Sequence, residues 1–351
     1  MYREASIQPP MTDPDTVSAD YTLRPSELAA TLTLLVEARQ PCILWGAPGC
    51  AKSALAQQVA AGAGRHYLDV RALLLDPVDL RGIPWRDADG RTRWAPPAFL
   101  PPMDDPGRWL VNLEELPSAV PMVQAALYQL VLDRKVGEYE LPDGASLIAC
   151  GNRESDRGVV HRMPTPLASR FVHLEIRVDA EDWLAWGAAN GIAPEVLFYI
   201  QMRPDLLHGF DPQAKEKAFC CPRTWEMVSG IVNQRGNLDP GVERALFRGT
   251  VGEAAAVEFS AFLKVWRELP HPRAVLDDPE NAIVPDNASA LIALCGSLYR
   301  MADDITLAPI VTYAQRLRRE VGEFLVGSCI RRDPDLQRSP AFIRWAAART
   351  Q

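Results

Sequence analysis

The stretch CILWGAPGCAKSALAQQVA (residues 42–60) decides how the chain is read. Cys42 to Trp45 is a short apolar run of the kind that forms a buried strand. It passes directly into a turn, Gly46, Ala47, Pro48, Gly49, Cys50 and Ala51, and then into Lys52, Ser53 and an alanine-rich helix. A strand, Gly-containing turn and helix in this order present free backbone N–H groups at a helix N-terminus, where an anion is held. The lysine reaches outer phosphate oxygens and the hydroxyl takes a place at a magnesium site. Residues 46–53 are therefore the candidate polyphosphate-binding loop. The pattern departs from GxxxxGK[ST] at Ala51, which stands where a glycine precedes the lysine.

Outward from this loop, short apolar runs alternate with helical segments as far as about residue 178. That alternation predicts an α/β fold, a parallel sheet sandwiched by helices. The expected strands are Cys42 to Trp45, His66 to Val70, Trp109 to Leu113, Ser146 to Cys150 and Phe171 to Ile176. Ser26 is the expected N-cap of a preceding helix through Leu28, Leu32 and Val36. Beyond Val178 the pattern is helical to the end, divided by a proline-rich stretch over 269–285. Helices are expected at about Ala288 to Met301, Leu307 to Val326 and Pro340 to Ala348, the last with Ser339 as N-cap.

The third strand ends in Glu114 and Glu115, adjacent acids at the strand end where ligands bind in open α/β sheets. One can hold Mg²⁺ through water while the other orients an attacking water. The fourth strand, SLIACGN, ends at Asn152, a neutral group able to touch a terminal phosphate or position water. Arg170 follows in PTPLASRF, and Pro222 and Arg223 open a helix in CPRTWEMVSGIV. Taken singly, Asn152, Arg170 and Arg223 read more readily as ordinary turn or salt-bridge residues. Their order along the chain gives them a common context.

That order resembles the AAA+ ATPases, and in detail the MoxR group, whose loops commonly read GxPGxAKS. DPVDLRGIPW (76–85) is similar to the family's Asp-Leu-x-Gly element before a helix-2 insert. DRKVGEYELPDGASLIACGN (133–152) is similar to its pre-sensor-1 hairpin and sensor-1 strand. The resemblance covers about residues 23–250. It implies an AAA+ P-loop core followed by an α-helical lid, with Gly46, Gly49, Lys52 and Ser53 as Walker A and Glu114 and Glu115 as Walker B. Asn152 would be sensor 1, Arg170 an arginine finger for the adjacent subunit, and Arg223 a sensor-2 arginine on its own subunit. The implied cofactors are ATP and Mg²⁺, the metal held by Ser53 and Glu114, with Glu115, Asn152 and Arg170 catalytic. The implied assembly is a ring, expected to be a hexamer, that remodels a partner protein in a chaperone-like way, such as one with a von Willebrand factor A domain. Glu114 is a departure, since the first acid of the pair is normally aspartate.

Composition limits the alternatives. With 45 acidic against 37 basic side chains the net charge is −8, which disfavours a broad grip on nucleic acid or an anionic membrane. No apolar run approaches the roughly 18–20 residues that span a bilayer, and no secretory h-region opens the sequence, so a cytoplasmic location is expected. Seven cysteines without CxxC spacing indicate neither a disulfide framework nor a zinc site, and reduced, buried thiols are expected. Thirty prolines are more than the usual share of about 5% and mark either disorder or many rigid turns.

The expected organisation is a flexible arm over 1–20, a nucleotide-binding core over 21–178, a helical lid over 179–268 and a linker with a collar-like helical region over 269–351. Two hairpins are candidates for contact with a partner. The first, 84–97, turns at Asp89-Gly90 with Trp85 and Trp94 expected to pack across its strands. The second runs from Lys135 to Leu147. Two other functions stay open at this point. One is a nucleotide-dependent scaffold whose turnover is low because of Glu114. The other is a nucleic-acid-directed motor using the arginines of the last helices, Arg316 to Arg349.

Overall fold

The structure is a computed structural model that describes residues 21–156, 161–214, 216–234, 238–267, 272–286 and 288–348. The arm expected over residues 1–20 lies outside the described residues. In chain order the strands are β1 (Thr22–Leu23), β2 (Cys42–Trp45), β3 (His66–Arg71), β4 (Ile83–Arg86), β5 (Thr92–Ala95), β6 (Trp109–Glu114), β7 (Lys135–Val136), β8 (Tyr139–Glu140), β9 (Ser146–Gly151) and β10 (Val172–Ile176). Six of them form one sheet in the order β1, β10, β2, β9, β6, β3, with every neighbour parallel. Parallel neighbours need crossover connections. These contain α1 (Pro25–Glu37), α2 (Lys52–Gly62), α3 (Pro77–Arg81), α4 (Pro121–Asp133) and α5 (Thr165–Ala168).

Side chains alternate across a strand, and here both faces are covered. Ile43, Val111, Leu113, Leu147 and Ala149 enter one apolar cluster, completed by Val123, Leu127 and Leu130 of α4. Their neighbours Cys42, Leu44, Leu110, Ile148 and Cys150 enter another, with Leu28, Leu32 and Val36 of α1 and Leu55, Ala56 and Val59 of α2. The α/β fold with a parallel sheet between helices is thus present, and the five expected strands all form. β1 is additional: it is two residues long, too short for any periodicity, and pairs Thr22 with Glu175.

Two local expectations are corrected by hydrogen bonding. α1 begins at Pro25, before Ser26, because Glu27 accepts the Arg24 N–H at 3.0 Å and Asp182 accepts the Ser26 N–H at 2.7 Å. In the first hairpin Trp85 pairs with Arg93 and Trp94 with Pro84, so the two tryptophans lie on opposite faces and do not pack across the strands. The register follows from the turn, where the Asp87 carboxylate accepts the N–H groups of Asp89 at 3.1 Å and Arg91 at 2.8 Å. At the base of this hairpin Gly82 has φ +84, and a Cβ there would strike the Ala95 carbonyl oxygen. β7 and β8 form the second hairpin, turning at Gly137 with φ +58.

Among the described residues no strand follows Ile176. The helices are α6 (Ala180–Ala189), α7 (Pro194–Met202), α8 (Pro222–Gln234), α9 (Pro240–Val251), α10 (Glu253–Arg267), α11 (Pro272–Asp277), α12 (Ala288–Arg300), α13 (Leu307–Ala314), α14 (Arg319–Arg332) and α15 (Pro340–Ala347). The single helix expected from Leu307 to Val326 is two helices. The Arg316 and Leu317 N–H groups bond three residues back to Tyr313 and Ala314, and Arg318 is extended (ψ 141). This break turns Leu317 into the same cluster as Tyr313 and Leu325. Among the described residues no helix is long and apolar enough to cross a membrane.

The chain forms two compact units. One runs through Trp183 and includes His208–Lys215 and Cys221–Arg223; the other comprises Leu184–Leu207, Glu216–Cys220 and the chain from Thr224 onward. An aromatic nucleus organises the second. Trp225 is fully buried, donates its indole N–H to the Leu206 carbonyl at 2.7 Å and meets Phe259 edge-on at 5.4 Å. Truncating Trp225 to alanine removes both the packing and the bond, so Trp225→Ala should lower stability by about 3–5 kcal/mol. Urea unfolding followed by circular dichroism checks this; a loss under about 1 kcal/mol would show that the nucleus repacks without it.

Candidate functional site

All strands of a parallel sheet end on one edge, and in open sheets ligands bind where connections diverge along that edge. β2 occupies such a position, between β10 and β9. The C-terminal residues of β2, β6 and β9 are Trp45, Glu114 and Gly151, so residues 46–53, Glu115 and Asn152 follow at the same edge.

The loop's path is set by few contacts. The Gly46 N–H donates to the Gly151 carbonyl at 3.3 Å, extending the pairing of β2 and β9 by one step, and the Cys50 N–H donates to Ala47 at 3.4 Å. Gly49 has φ +78, and a Cβ on it would strike the Cys221 thiol. Ala51 has φ +72 and ψ 25, the left-handed conformation that glycine adopts without strain. The residue that departs from the sequence pattern therefore keeps the backbone geometry the pattern requires. α2 then begins at Lys52, and the N–H groups of its first turn have no partner within the helix.

Lys52 folds back over the loop. Its ammonium donates to the carbonyls of Gly46 at 2.7 Å and Ala47 at 3.2 Å and to Asn152 Oδ1 at 2.9 Å. Ser53 donates its hydroxyl proton to Glu114 Oε1. Glu114 Oε2 accepts from Asn112 Nδ2 at 2.7 Å. The Cys150 thiol lies beside the same carboxylate, and its pKa is pushed well above the ordinary value, first by burial and then by the Glu114 charge. In the loop, burial likewise raises the Cys50 thiol, against a smaller lowering by Lys52, so Cys50 is a neutral thiol and not a nucleophile.

Ser53 and Glu114 together offer a hydroxyl and a carboxylate, hard oxygen donors suited to Mg²⁺. Among the described residues no group of three or more His, Cys, Asp or Glu side chains could cage a metal. One carboxylate and one hydroxyl are a donor set that Mg²⁺ takes when phosphate and water supply its other ligands.

Glu115 is exposed and takes the left-handed conformation (φ 55, ψ 34), rare for a residue with a side chain. Arg170 is exposed two residues beyond α5, and Arg223 is exposed in the first turn of α8. Among the described residues neither guanidinium makes an ion pair or hydrogen bond with the loop. The structure thus gathers Gly46, Ala47, Lys52, Ser53, Glu114 and Asn152, sets Pro48, Gly49, Cys50 and Ala51 in the turn between them, places Glu115 next to Glu114, and leaves Arg170 and Arg223 apart.

Some neighbours of the site carry no signal in the sequence because they arrive from distant positions. Trp45, the last residue before the loop, lies nearly parallel to the His173 ring (10°, centroids 5.9 Å apart) and donates its indole N–H to His173 Nδ1 at 2.9 Å. The tautomer this requires leaves His173 Nε2–H to donate to the Ala168 carbonyl at 2.9 Å, two residues before Arg170. His208 has a buried Nε2 without a partner. Burial pushes that imidazole below its ordinary pKa; the Pro48 carbonyl and Asp156 oppose the shift, and the charges of Arg153 and Lys52 reinforce it.

No protein-family model and no curated protein matches the sequence. Among solved structures the chain is similar to NtrX of Brucella abortus in complex with ADP, at 13% identity over 89% of this chain and 68% of that one, with a TM-score of 0.40. It is similar to a candidate ATPase of Cytophaga hutchinsonii at 13% identity over 87% and 81% of the two chains, with a TM-score of 0.36. It is also similar to the RuvB Holliday junction branch migration motor of Thermotoga maritima, at 14% identity over 86% and 81%, with a TM-score of 0.34.

The geometry of Ala51 gives a test independent of any ligand. A left-handed alanine costs roughly 1–2 kcal/mol, and the greater unfolded-state freedom of glycine offsets about 0.4–1 kcal/mol of the relief. Ala51→Gly should leave the thermal midpoint unchanged or slightly raised. Ala51→Val, branched at Cβ, should lower it clearly. A marked loss with glycine would contradict the left-handed assignment.

Proposed function

We propose that the chain is a MoxR-like AAA+ ATPase that binds ATP with Mg²⁺ at residues 46–53 and hydrolyses it at the subunit interfaces of a ring. The observation that carries this reading is the convergence of Lys52, Ser53, Glu114 and Asn152 at the end of β2. The same ammonium that bonds the loop carbonyls and Asn152 is free to exchange them for β- and γ-phosphate oxygens, which are charged acceptors and hold it more strongly. The N–H groups at the start of α2 face the phosphates. Glu115 accepts a proton from the attacking water, and Asn152 orients that water or the γ-phosphate. Ser53 and Glu114 would hold the Mg²⁺, which when bound neutralises charge on the β- and γ-phosphates.

Arg170 is exposed and without an ion pair among the described residues, which suits a cation offered to the nucleotide of an adjacent subunit. Arg223 opens α8 two residues after Cys221, which packs on Gly49, and is assigned to the nucleotide of its own subunit. The assembly is expected to be a hexamer.

The work done is remodelling of a partner protein, of which a von Willebrand factor A domain protein is the class the resemblance suggests. A groove of about 620 Å³ supports a protein partner: it is lined by Val78, Arg81, Trp94, Met122, Ala126 and Val136 and so runs between the two hairpins. Val78 and Met122 are 67% and 71% exposed, and Arg81 has no ion pair among the described residues. The occupant that complements this lining is a protein segment with an apolar side chain beside a carboxylate.

A second reading, a scaffold that binds ATP with little turnover, is favoured by one feature: the Glu114 carboxylate is already engaged by Ser53, Asn112 and Cys150. Steady-state phosphate release separates the two, since a large gain in Glu114→Asp supports the scaffold.

Lys52→Ala should abolish nucleotide binding in a calorimetric titration, whereas Glu115→Gln should bind ATP and lose turnover by 100-fold or more, a magnitude on the order of general-base catalysis. Full hydrolysis by Glu115→Gln would contradict the assignment. Interface catalysis predicts complementation: Arg170→Ala and Lys52→Ala, each inactive alone, should recover partial ATPase activity when mixed. Absence of recovery in a mixture shown to co-assemble would place Arg170 outside the active site.

A further inference from the structure

Asn112 is a polar residue in the middle of the apolar strand β6, with no exposed surface. A buried amide is destabilising unless its hydrogen-bonding groups find partners. Its two N–H groups do: Nδ2 donates to Glu114 Oε2 at 2.7 Å and to the Tyr67 hydroxyl at 2.9 Å. Its Oδ1 has none. The amide orientation is fixed by the network, because only the NH₂ end can face a carboxylate. Residues 112 and 114 lie on one face of the strand, and Tyr67 comes from the adjacent strand β3, where Asp69 pairs with Asn112. Burial raises the Tyr67 phenol pKa, so it remains a neutral hydroxyl at the outer end of this chain. The arrangement tolerates an orphan acceptor and directs both donors outward, one of them at the carboxylate that also receives Ser53.

We propose that Asn112 is a positioning residue: by holding Oε2 of Glu114 it fixes the rotamer that turns Oε1 toward Ser53, and so sets the cation affinity of this corner. A glutamate has one more rotatable bond than an aspartate, so its carboxylate is spread over more positions unless something binds it. Asn112 supplies that restraint from within the same strand. The inference rests on the reading of Ser53 and Glu114 as the metal-holding pair. Among the described residues Asn112 makes its hydrogen bonds to Glu114 and Tyr67 and none to residues 46–53, so its loss acts on the carboxylate rather than directly on the phosphate-binding amides.

The test measures Mn²⁺ binding by electron paramagnetic resonance on the full chain with ADP present, and ADP binding alone by calorimetry in chelator. Asn112→Leu should weaken Mn²⁺ binding by about tenfold, the lower end of what loss of a ligand's hydrogen-bond partner costs. It should leave metal-free ADP affinity unchanged. In the Glu114→Asp background, where the carboxylate no longer reaches Asn112, the same substitution should have little further effect. Asn112→Ser, which withdraws the amide with a smaller change, serves as the second variant if leucine prevents folding. Unchanged Mn²⁺ affinity, or an equal loss in both backgrounds, would overturn the proposal. If Glu114→Ala leaves Mn²⁺ affinity unaltered, the metal-pair reading itself fails and this inference falls with it.

Discussion

The Lys52 ammonium is the point on which the site depends. It is bonded to two carbonyls of the loop that precedes it and to Asn152 at the end of a neighbouring strand. One charge thus ties the start of α2, the turn after β2 and the turn after β9 into a single object. That is possible only because the sheet is parallel, which puts the ends of β2, β6 and β9 on one edge, and because both faces of the sheet are buried, which fixes their register. A cation held by neutral oxygens is poised to change partners when anionic oxygens become available.

Two of the four non-glycine residues with left-handed backbone among the described residues lie at the same edge. Ala51 and Glu115 both adopt left-handed backbone conformations despite having side chains, and both directly adjoin the polar cluster. Residues held in such conformations gather at ligand sites when surrounding packing overrides the local preference. Here the packing is visible: Gly49 lies against Cys221, and Leu116 next to Glu115 is fully buried in the sheet's larger cluster. Proline acts similarly on a longer scale. Pro77, Pro121, Pro194, Pro222, Pro240, Pro272 and Pro340 each begin a helix, where a fixed φ and a missing N–H carry no penalty. Part of the high proline content therefore specifies helix starts.

The legibility of the fold in the sequence follows from the range of the forces involved. Five of the six strands of the central sheet are readable because two-sided burial writes continuous apolar runs, and the turn after β2 because its glycines punctuate the sequence between a strand and a helix. Ser26 misled because a carboxylate 156 residues away, Asp182, takes the N–H it was expected to leave to local capping. The pairing of Trp85 with Trp94 misled because register is set by the Asp87 side chain in the turn, one residue away from the symmetric alignment. Within the site, Asn112 interrupts an apolar strand, and its reason lies in Glu114 and Tyr67, which the strand alone does not reveal. His173 and His208 gave no signal at all, since their partners Trp45 and Pro48 are far away in sequence and joined to them only by the fold.

In the proposed function the strained loop and the back-folded lysine receive a triphosphate, and the asparagine-restrained glutamate completes a cation corner beside it. In that reading the backbone amides of residues 46–53 grip the phosphates. Amide hydrogen exchange with and without Mg·ATP measures this most directly. Protection that rises chiefly across residues 46–54, at one nucleotide per chain, is the predicted result. Nucleotide bound with protection elsewhere and none in this loop would contradict it.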